Sequence, residues 1–171
     1  MTCMTVHLRH REEVAHGTMA FGFDKPAGFS FRPGQAIDLI LPDPTAPGTE
    51  SARHAFSIVS APHESELVIA TRMRNSAFKN ALARLPEGAP AQVEGPFGSL
   101  TLHNKLDRAA VFIAGGIGIT PFMSMLRHAT NSALQQRLLL LYSNRRPEDS
   151  AFLAELQRLE ATTRTSGSLP P

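Results

Sequence analysis

The chain has 171 residues, with 17 Lys and Arg against 15 Asp and Glu, seven His, one Cys and no Trp. That length admits one ordinary domain or two small ones, and 42% hydrophobic with 19% charged residues suits a packed globular protein rather than a disordered one. A formal charge of +2 is too small for a general nucleic-acid footprint, and a single cysteine excludes an internal disulfide and a cysteine-ligated metal cluster. The longest strongly apolar stretch, residues 111–121, is too short and too broken by glycine to span a bilayer. No basic start leads into an apolar secretory core, so the sequence reads as cytoplasmic. The histidines are dispersed and suggest no metal site.

The first hundred residues read as β. Val6 to Arg11 alternates apolar and polar side chains, and Thr18 to Phe23 repeats the pattern with Met19, Phe21 and Phe23 on one side. Pro33-Gly34 makes a turn before a strand over Gln35 to Leu41. Residues 42–51 hold three prolines and read as an exposed loop. Further strands are predicted at His54–Ser60, Leu67–Arg72, Ala91–Glu94 and Ser99–His103. A short helix from Ser76 to about Leu85 interrupts them, with Ser76 as N-cap and Phe78, Leu82 and Leu85 on one face. Short antiparallel strands at this spacing predict a small barrel or sandwich.

From Asp107 the period changes. Ala109 to Ala114 is a continuous apolar run, the pattern of a parallel strand buried on both faces. The glycine-rich loop Gly115 to Ile119 follows. A helix comes next, with Thr120 as its cap and Pro121 at its first position, striped by Phe122, Met125, Leu126 and Ala129. Leu138 to Tyr142 is a second buried strand. Pro147, Glu148 and Asp149 open a second helix with Phe152, Leu153, Leu156 and Leu159 facing inward. This β-α-β-α order begins a doubly wound sheet, and after Glu160 no element pattern remains.

Three segments carry chemical signals. In the run from Gly115 to Pro121, glycines let backbone amides approach a diphosphate, and the helix start offers unpaired N–H groups and a positive dipole end. The alternative is a tight turn that only packs, but the order of strand, glycines, cap and proline favours a nucleotide site. Between Leu67 and Pro86 lie Arg72, Arg74, Lys79 and Arg84 and no acidic residue. Arg72 and Arg74 share a face just before the helix start at Ser76, which makes a phosphate site or else a solvated basic face. In Arg53-His54-Ala55-Phe56-Ser57-Ile58, an aromatic beside a hydroxyl could stack on a planar cofactor, though an ordinary amphipathic strand has the same pattern. Tyr142 to Arg146 ends the second parallel strand, at the edge where α/β folds bind ligands, as a cofactor contact or as a polar loop.

Together and in this order, these features resemble the ferredoxin–NADP reductase superfamily over about residues 5–160. Pro33-Gly34-Gln35 matches the family's turn before a barrel strand, and His54-Ala55-Phe56-Ser57 lies at its Arg-x-Tyr-Ser flavin motif. Gly95-Pro96-Phe97-Gly98 matches its Gly-Pro-Phe/Tyr-Gly turn, and Gly115 to Pro121 its Gly-Gly-x-Gly-x-Thr-Pro motif. The resemblance implies an antiparallel flavin-binding β-barrel over 1–106, followed by an incomplete doubly wound, parallel-sheet NAD(P)-binding α/β domain over 107–171. It implies an oxidoreductase that moves hydride or electrons between NAD(P)H and a ferredoxin or other acceptor protein through FAD rather than FMN.

Residue by residue, the resemblance puts Arg53, His54, Phe56, Ser57 and Ile58 at the flavin, with Phe56 on the isoalloxazine ring and Ser57 near N5. Arg72, Arg74, Ser76 and Lys79 would hold flavin phosphates, and Gly115, Gly116, Gly118, Thr120 and Pro121 would receive the dinucleotide. Ser57 and Thr120 would be the catalytic pair. The chain departs from the family pattern where His54 replaces the motif arginine, Arg53 stands one position early, Phe56 replaces tyrosine, and Lys79 replaces a Ser or Thr. A one-residue offset on a strand points Arg53 to the opposite face. The family's nucleotide domain has more parallel strands than the two supplied here, so the sequence reads as C-terminally truncated. The second reading is therefore a catalytically incomplete flavin-binding fragment, or an electron-transfer subunit of a larger complex. NAD against NADP stays open.

Overall fold

The computed structural model describes residues 3–42 and 53–165. All but Pro42 of the proline-rich segment expected as a loop lies outside them. Strands β1 (Cys3–Ala15), β2 (Thr18–Asp24), β3 (Ala36–Ile40), β4 (Arg53–Ser57), β5 (Glu66–Arg72) and β6 (Pro90–Phe97) form one antiparallel sheet in the order β4-β3-β6-β1-β2-β5. A bridge between Ile58 and Ile69 joins the two ends of that order, so the sheet closes into a barrel. The predicted strand at Ser99–His103 does not form; this stretch is an irregular connection in which Leu100 is exposed. Helix α1 (Ala77–Arg84) follows β5, and the Ser76 hydroxyl accepts from the Lys79 amide as its N-cap. Phe78 and Leu82 on its inner face are buried in the barrel core with Leu8, Phe21, Phe23, Ile37, Leu39, Leu67 and Ile69. Burying each such side chain contributes about 1.5–3 kcal/mol.

The β2–β5 ribbon is buried on both faces. Phe21, Phe23, Leu67 and Ile69 point into the barrel, whereas Ala20 and Ala70 point out into a second cluster with Val59, Ala114, Ile119, Met123, Ala151 and Phe152. Antiparallel register across the ribbon, Ala20 opposite Ala70 and Phe21 opposite Ile69, keeps each set on its own face. The small residues lie where the second half of the chain approaches.

That half consists of β7 (Ala110–Gly115), a 3-10 turn (Gly116–Ile119), α2 (Thr120–Asn131), β8 (Leu138–Ser143), a short 3-10 turn (Pro147–Asp149) and α3 (Leu153–Thr165). β7 and β8 pair in parallel from Ala110 opposite Leu138 to Gly115 opposite Ser143. Both strands were expected to be buried on both faces, and they are not. Phe112, Ala114, Leu140 and Tyr142 pack with residues of α2 and α3, while Val111, Ile113, Leu139 and Leu141 are each more than half exposed. The helices cover one face, and no described element covers the other. α3 also differs from expectation at both ends. Phe152 adopts φ 62° and breaks the run from Pro147, leaving Leu153 exposed, and the helix continues past Glu160 to Thr165.

Among the described residues, no helix is long and apolar enough to cross a membrane, and no cluster of three His, Cys, Asp or Glu could hold a metal ion.

The Pro33-Gly34 turn lies beneath the connection between the two halves. Gly34 has φ 95°, and a Cβ there would overlap the Leu100 carbonyl oxygen and the Met125 side chain. Gln35 fastens the same connection by donating from Nε2 to the Gly98 carbonyl at 3.1 Å. Gly34→Ala should therefore cost about 2–5 kcal/mol, from backbone strain plus overpacking. Gly17→Ala has φ 62° but nothing within 4 Å of its Cβ, and should cost only about 1–2 kcal/mol. Urea denaturation of the two variants checks the difference.

Candidate functional site

A cavity of about 300 Å³ opens where the two halves meet. The barrel supplies His16 and Thr18 from the β1–β2 turn and Arg72 and Arg74 from the end of β5. The α/β half supplies Gly116 and Ile117, then Ser143, Asn144 and Arg145 at the end of β8, then Asp149. This is the carboxyl end of the parallel strands, where an α/β sheet leaves its binding crevice.

Gly115 is extended and Gly116 turns to φ 51°, after which residues 116–119 wind as a 3-10 turn that leads directly into α2. The helical run thus starts at Gly116, and its first amides have no intrahelical acceptor. Thr120 is not the cap expected from the sequence. It is already helical and 6% exposed, and its Oγ1 donates to the Ile117 carbonyl at 3.1 Å, bracing the turn from inside. Pro121 is buried in the first turn behind it.

Positive charge concentrates opposite those amides. Among the described residues, Asp149 at 4.0 Å is the only carboxylate paired with Arg72, and Arg74 has no carboxylate partner. Lys79 donates from Nζ to the Arg72 carbonyl at 2.7 Å, tying the end of β5 to α1. Burial, and after it the charge of Arg74, hold the Lys79 ammonium below the ordinary lysine pKa. On the other wall, Asn144 Oδ1 is buried without a hydrogen-bond partner. Burial raises the Tyr142 phenol, whose hydroxyl donates to the Ala151 carbonyl at 3.4 Å. Guanidinium groups sharing a cavity with free backbone amides are the donor set that a polyanion such as a diphosphate requires.

An aromatic group lies at the same, N-terminal end of α1, around Phe78. His54 stacks on Phe56 with ring centroids 4.6 Å apart and planes 24° apart, and Phe78 of α1 lies 5.4 Å from His54 and 5.9 Å from Phe56. Strand alternation sends Arg53 the other way. It donates to Glu94 at 2.8 Å and to Asp38 at 3.2 Å, and the Glu94 hydrogen bond leads the effects that raise its pKa.

The oxidoreductase NAD-binding domain family model matches residues 112–168. Ferredoxin–NADP reductase B of Sorangium cellulosum (strain So ce56) is 37% identical over 134 residues, covering 77% of this chain and 53% of that protein. The propane 2-monooxygenase reductase component of Rhodococcus jostii (strain RHA1) is 32% identical over 139 residues, covering 79% and 36%. Phthalate dioxygenase reductase superposes with a TM-score of 0.76 at 25% identity, over 91% of this chain and 48% of that one. In sequence and in fold the chain is similar to the ferredoxin–NADP reductase superfamily. It spans about half the length of the first of these relatives and about a third of the second. Ferredoxin–NADP+ reductase from Plasmodium falciparum shares the fold, with a TM-score of 0.80 at 15% identity over 95% of this chain and 67% of that one.

Within this superfamily fold the expected site residues separate into groups. Arg72, Arg74 and Gly116 line one cavity, with Lys79 and the Ser76 cap directly behind the two arginines. His54 and Phe56 lie together against α1. Ser57 is half-buried beside β3, opposite Ala36. Arg53, Ile58 and Pro121 are not brought to the cavity. Arg53 is held by Asp38 and Glu94, and Ile58 is fully buried in the barrel core, its amide donating to the Gln35 carbonyl at 3.0 Å. Gly115 and Gly118 shape the turn without lining the cavity. Sequence reasoning missed His16, Thr18 and Asp149, because no local pattern reveals that the β1–β2 turn faces the end of β8.

Inorganic pyrophosphate is the simplest probe of this cleft. It should bind the protein, and Arg74→Gln should weaken binding about tenfold, the loss of one charge-assisted hydrogen bond. Isothermal titration at low and moderate salt measures both, and affinity should fall as salt rises.

Proposed function

We propose that the protein is a flavin-dependent NAD(P)H oxidoreductase of the ferredoxin reductase type. In this reading residues 1–106 hold FAD and residues 107–171 receive the nicotinamide dinucleotide. The observation that carries it is the shared cavity, in which barrel cations Arg72 and Arg74 and the Gly116–Ile117 amides form opposite walls of one anion site. Two phosphate-bearing cofactors brought to one cleft need such a wall on each side.

The donor set suits FAD. The exposed His54 ring, stacked on the buried Phe56, offers a flat surface for a planar ring, and the α1 N-terminus with Arg72, Arg74 and Lys79 offers cations and amides for its phosphates. When bound, the flavin supplies the hydride and one-electron chemistry. The protein's own residues then orient and exclude water. The Ser57 hydroxyl would hydrogen-bond the ring edge, and Thr120 holds the 3-10 turn in shape through the Ile117 carbonyl so that Gly116 and Ile117 would take the dinucleotide. We place the acceptor among ferredoxins or oxygenase partners, since phthalate dioxygenase reductase is a modular structure for electron transfer from pyridine nucleotides to [2Fe-2S]. We assign the protein to the cytoplasm. A second reading, a flavin-binding unit that does not turn over nucleotide by itself, draws on the open face of β7 and β8 at Val111, Ile113, Leu139 and Leu141.

Purified protein loaded with FAD should be yellow and should bleach anaerobically with NADH or NADPH. Ser57→Ala should slow that bleaching about tenfold at unchanged flavin content, the worth of one hydrogen bond in the transition state. Arg72→Ala should instead lower flavin content. A protein that takes up neither FAD nor FMN refutes the proposal. Bound flavin that neither nucleotide bleaches selects the second reading.

A further inference from the structure

The two halves are joined by a second polar contact, away from the cleft. Arg127 of α2 is mostly buried, with its side chain 18% exposed. Its Nε and Nη2 donate to the two Glu155 oxygens of α3 at 2.7 and 2.8 Å, its Nη1 donates to Glu64 at 3.2 Å, and its guanidinium lies 5.9 Å from the centre of the Phe152 ring. Glu64 belongs to the barrel, in the connection between β4 and β5, where its other oxygen accepts from the Ala61 amide at 2.9 Å. Three residues earlier on α2, the buried Ser124 hydroxyl donates to the Ser60 carbonyl of that same connection at 2.7 Å. One face of α2 is therefore pinned to the barrel at two adjacent points. Burial opposes the Arg127 charge, and Glu155, followed by Glu64 and Glu12, more than restores it.

A buried ion pair adds little net stability over apolar residues of similar volume, but it accepts few alternative geometries. Geometry matters at this position, because α2 begins at Thr120, directly after the Gly116–Ile119 turn. From Thr120 to Arg127 the helix rises about 10 Å, so a tilt of about 6° at the clamp moves the turn by about 1 Å. A displacement of that size costs as much as about 100-fold in a reaction that needs two aligned rings.

We propose that Arg127 is a positioning residue. By holding Glu64 of the barrel and Glu155 of α3 together, it sets the angle at which α2 presents the Gly116–Ile119 turn to Arg72 and Arg74. The kinetic consequence rests on the flavin and dinucleotide reading above; the geometric one does not.

The test compares the full FAD-loaded chain with Glu64→Gln, Arg127→Lys and, as a control, Arg9→Gln, which breaks only an exposed pair with Asp24 on the barrel. Four quantities are read for each: flavin content, the anaerobic reduction rate at saturating NAD(P)H, the long-wavelength charge-transfer absorbance of nucleotide on flavin, and pyrophosphate affinity. Glu64→Gln should keep flavin content within twofold and lower the saturated reduction rate tenfold or more. Charge-transfer absorbance should weaken with it, and pyrophosphate affinity should fall at least fivefold. Arg127→Lys keeps the charge but loses the planar fork, and should fall between Glu64→Gln and the unaltered chain, with Arg9→Gln unchanged. Variants that melt earlier but keep the saturated rate and the charge-transfer band would show that Arg127 only stabilises, and would overturn the proposal. If neither nucleotide reduces the unaltered chain, the flavin reading fails by itself. Pyrophosphate then decides the clamp: an unchanged affinity in Glu64→Gln overturns it, and a fivefold fall supports it.

Discussion

The β2–β5 ribbon must serve two cores at once, and the rest of the molecule depends on how it does so. Its inner face carries Phe21, Phe23, Leu67 and Ile69, large side chains that fill the barrel. Its outer face carries Ala20 and Ala70, small enough for Ile119, Met123 and Phe152 to pack closely against the strand backbone. Large residues on the outer face would push the second half away. As built, the ribbon ends at Arg72 directly beside the Gly116 turn, so a packing constraint delivers an electrostatic site.

The polar contacts around this interface fall into two kinds with different physics. Arg127 lies in a low-dielectric setting where both hydrogen-bonding edges of its guanidinium are matched, and such a group tolerates little rearrangement. Arg72 and Arg74 are exposed and loosely matched, with Asp149 at 4.0 Å as the nearest carboxylate. Exposed charges of that kind exchange partners at little cost and are screened by salt. The interface therefore combines a fixed joint with an adaptable rim, and the adaptable part faces the cavity.

Much of this architecture was legible in the sequence because short-range rules govern it. Alternation in Thr18 to Phe23 and the Ser76 cap with Phe78 and Leu82 behind it translate directly into β2 and α1. The offset of Arg53 from the flavin motif likewise agrees with its pairing to Asp38 and Glu94 on the opposite face. What could not be read depends on contacts distant in sequence. Apolar runs at 109–114 and 138–142 resemble doubly buried strands, yet burial also requires an element on each side, and among the described residues only one side has one. Thr120 before proline has the pattern of a cap, but the glycines allow a 3-10 turn to start the helical run four residues earlier and turn that hydroxyl inward. His16, Thr18 and Asp149 come together only because the β1–β2 hairpin end meets the β8–α3 connection.

The shared ribbon also makes cooperativity one-directional. If β7, β8 and their helices open, the barrel loses contacts at Ala20, Val59 and Ala70 but keeps its own cluster intact. If the barrel opens, the second cluster loses one entire wall. Subglobal unfolding must therefore begin in the α/β half, and the amides of β7 and β8 will exchange with solvent deuterium through openings that leave β2 and β5 protected. Without its neighbour the barrel keeps its whole core, whereas without the barrel the neighbour keeps only the small cluster around Ala110, Phe112 and Met125.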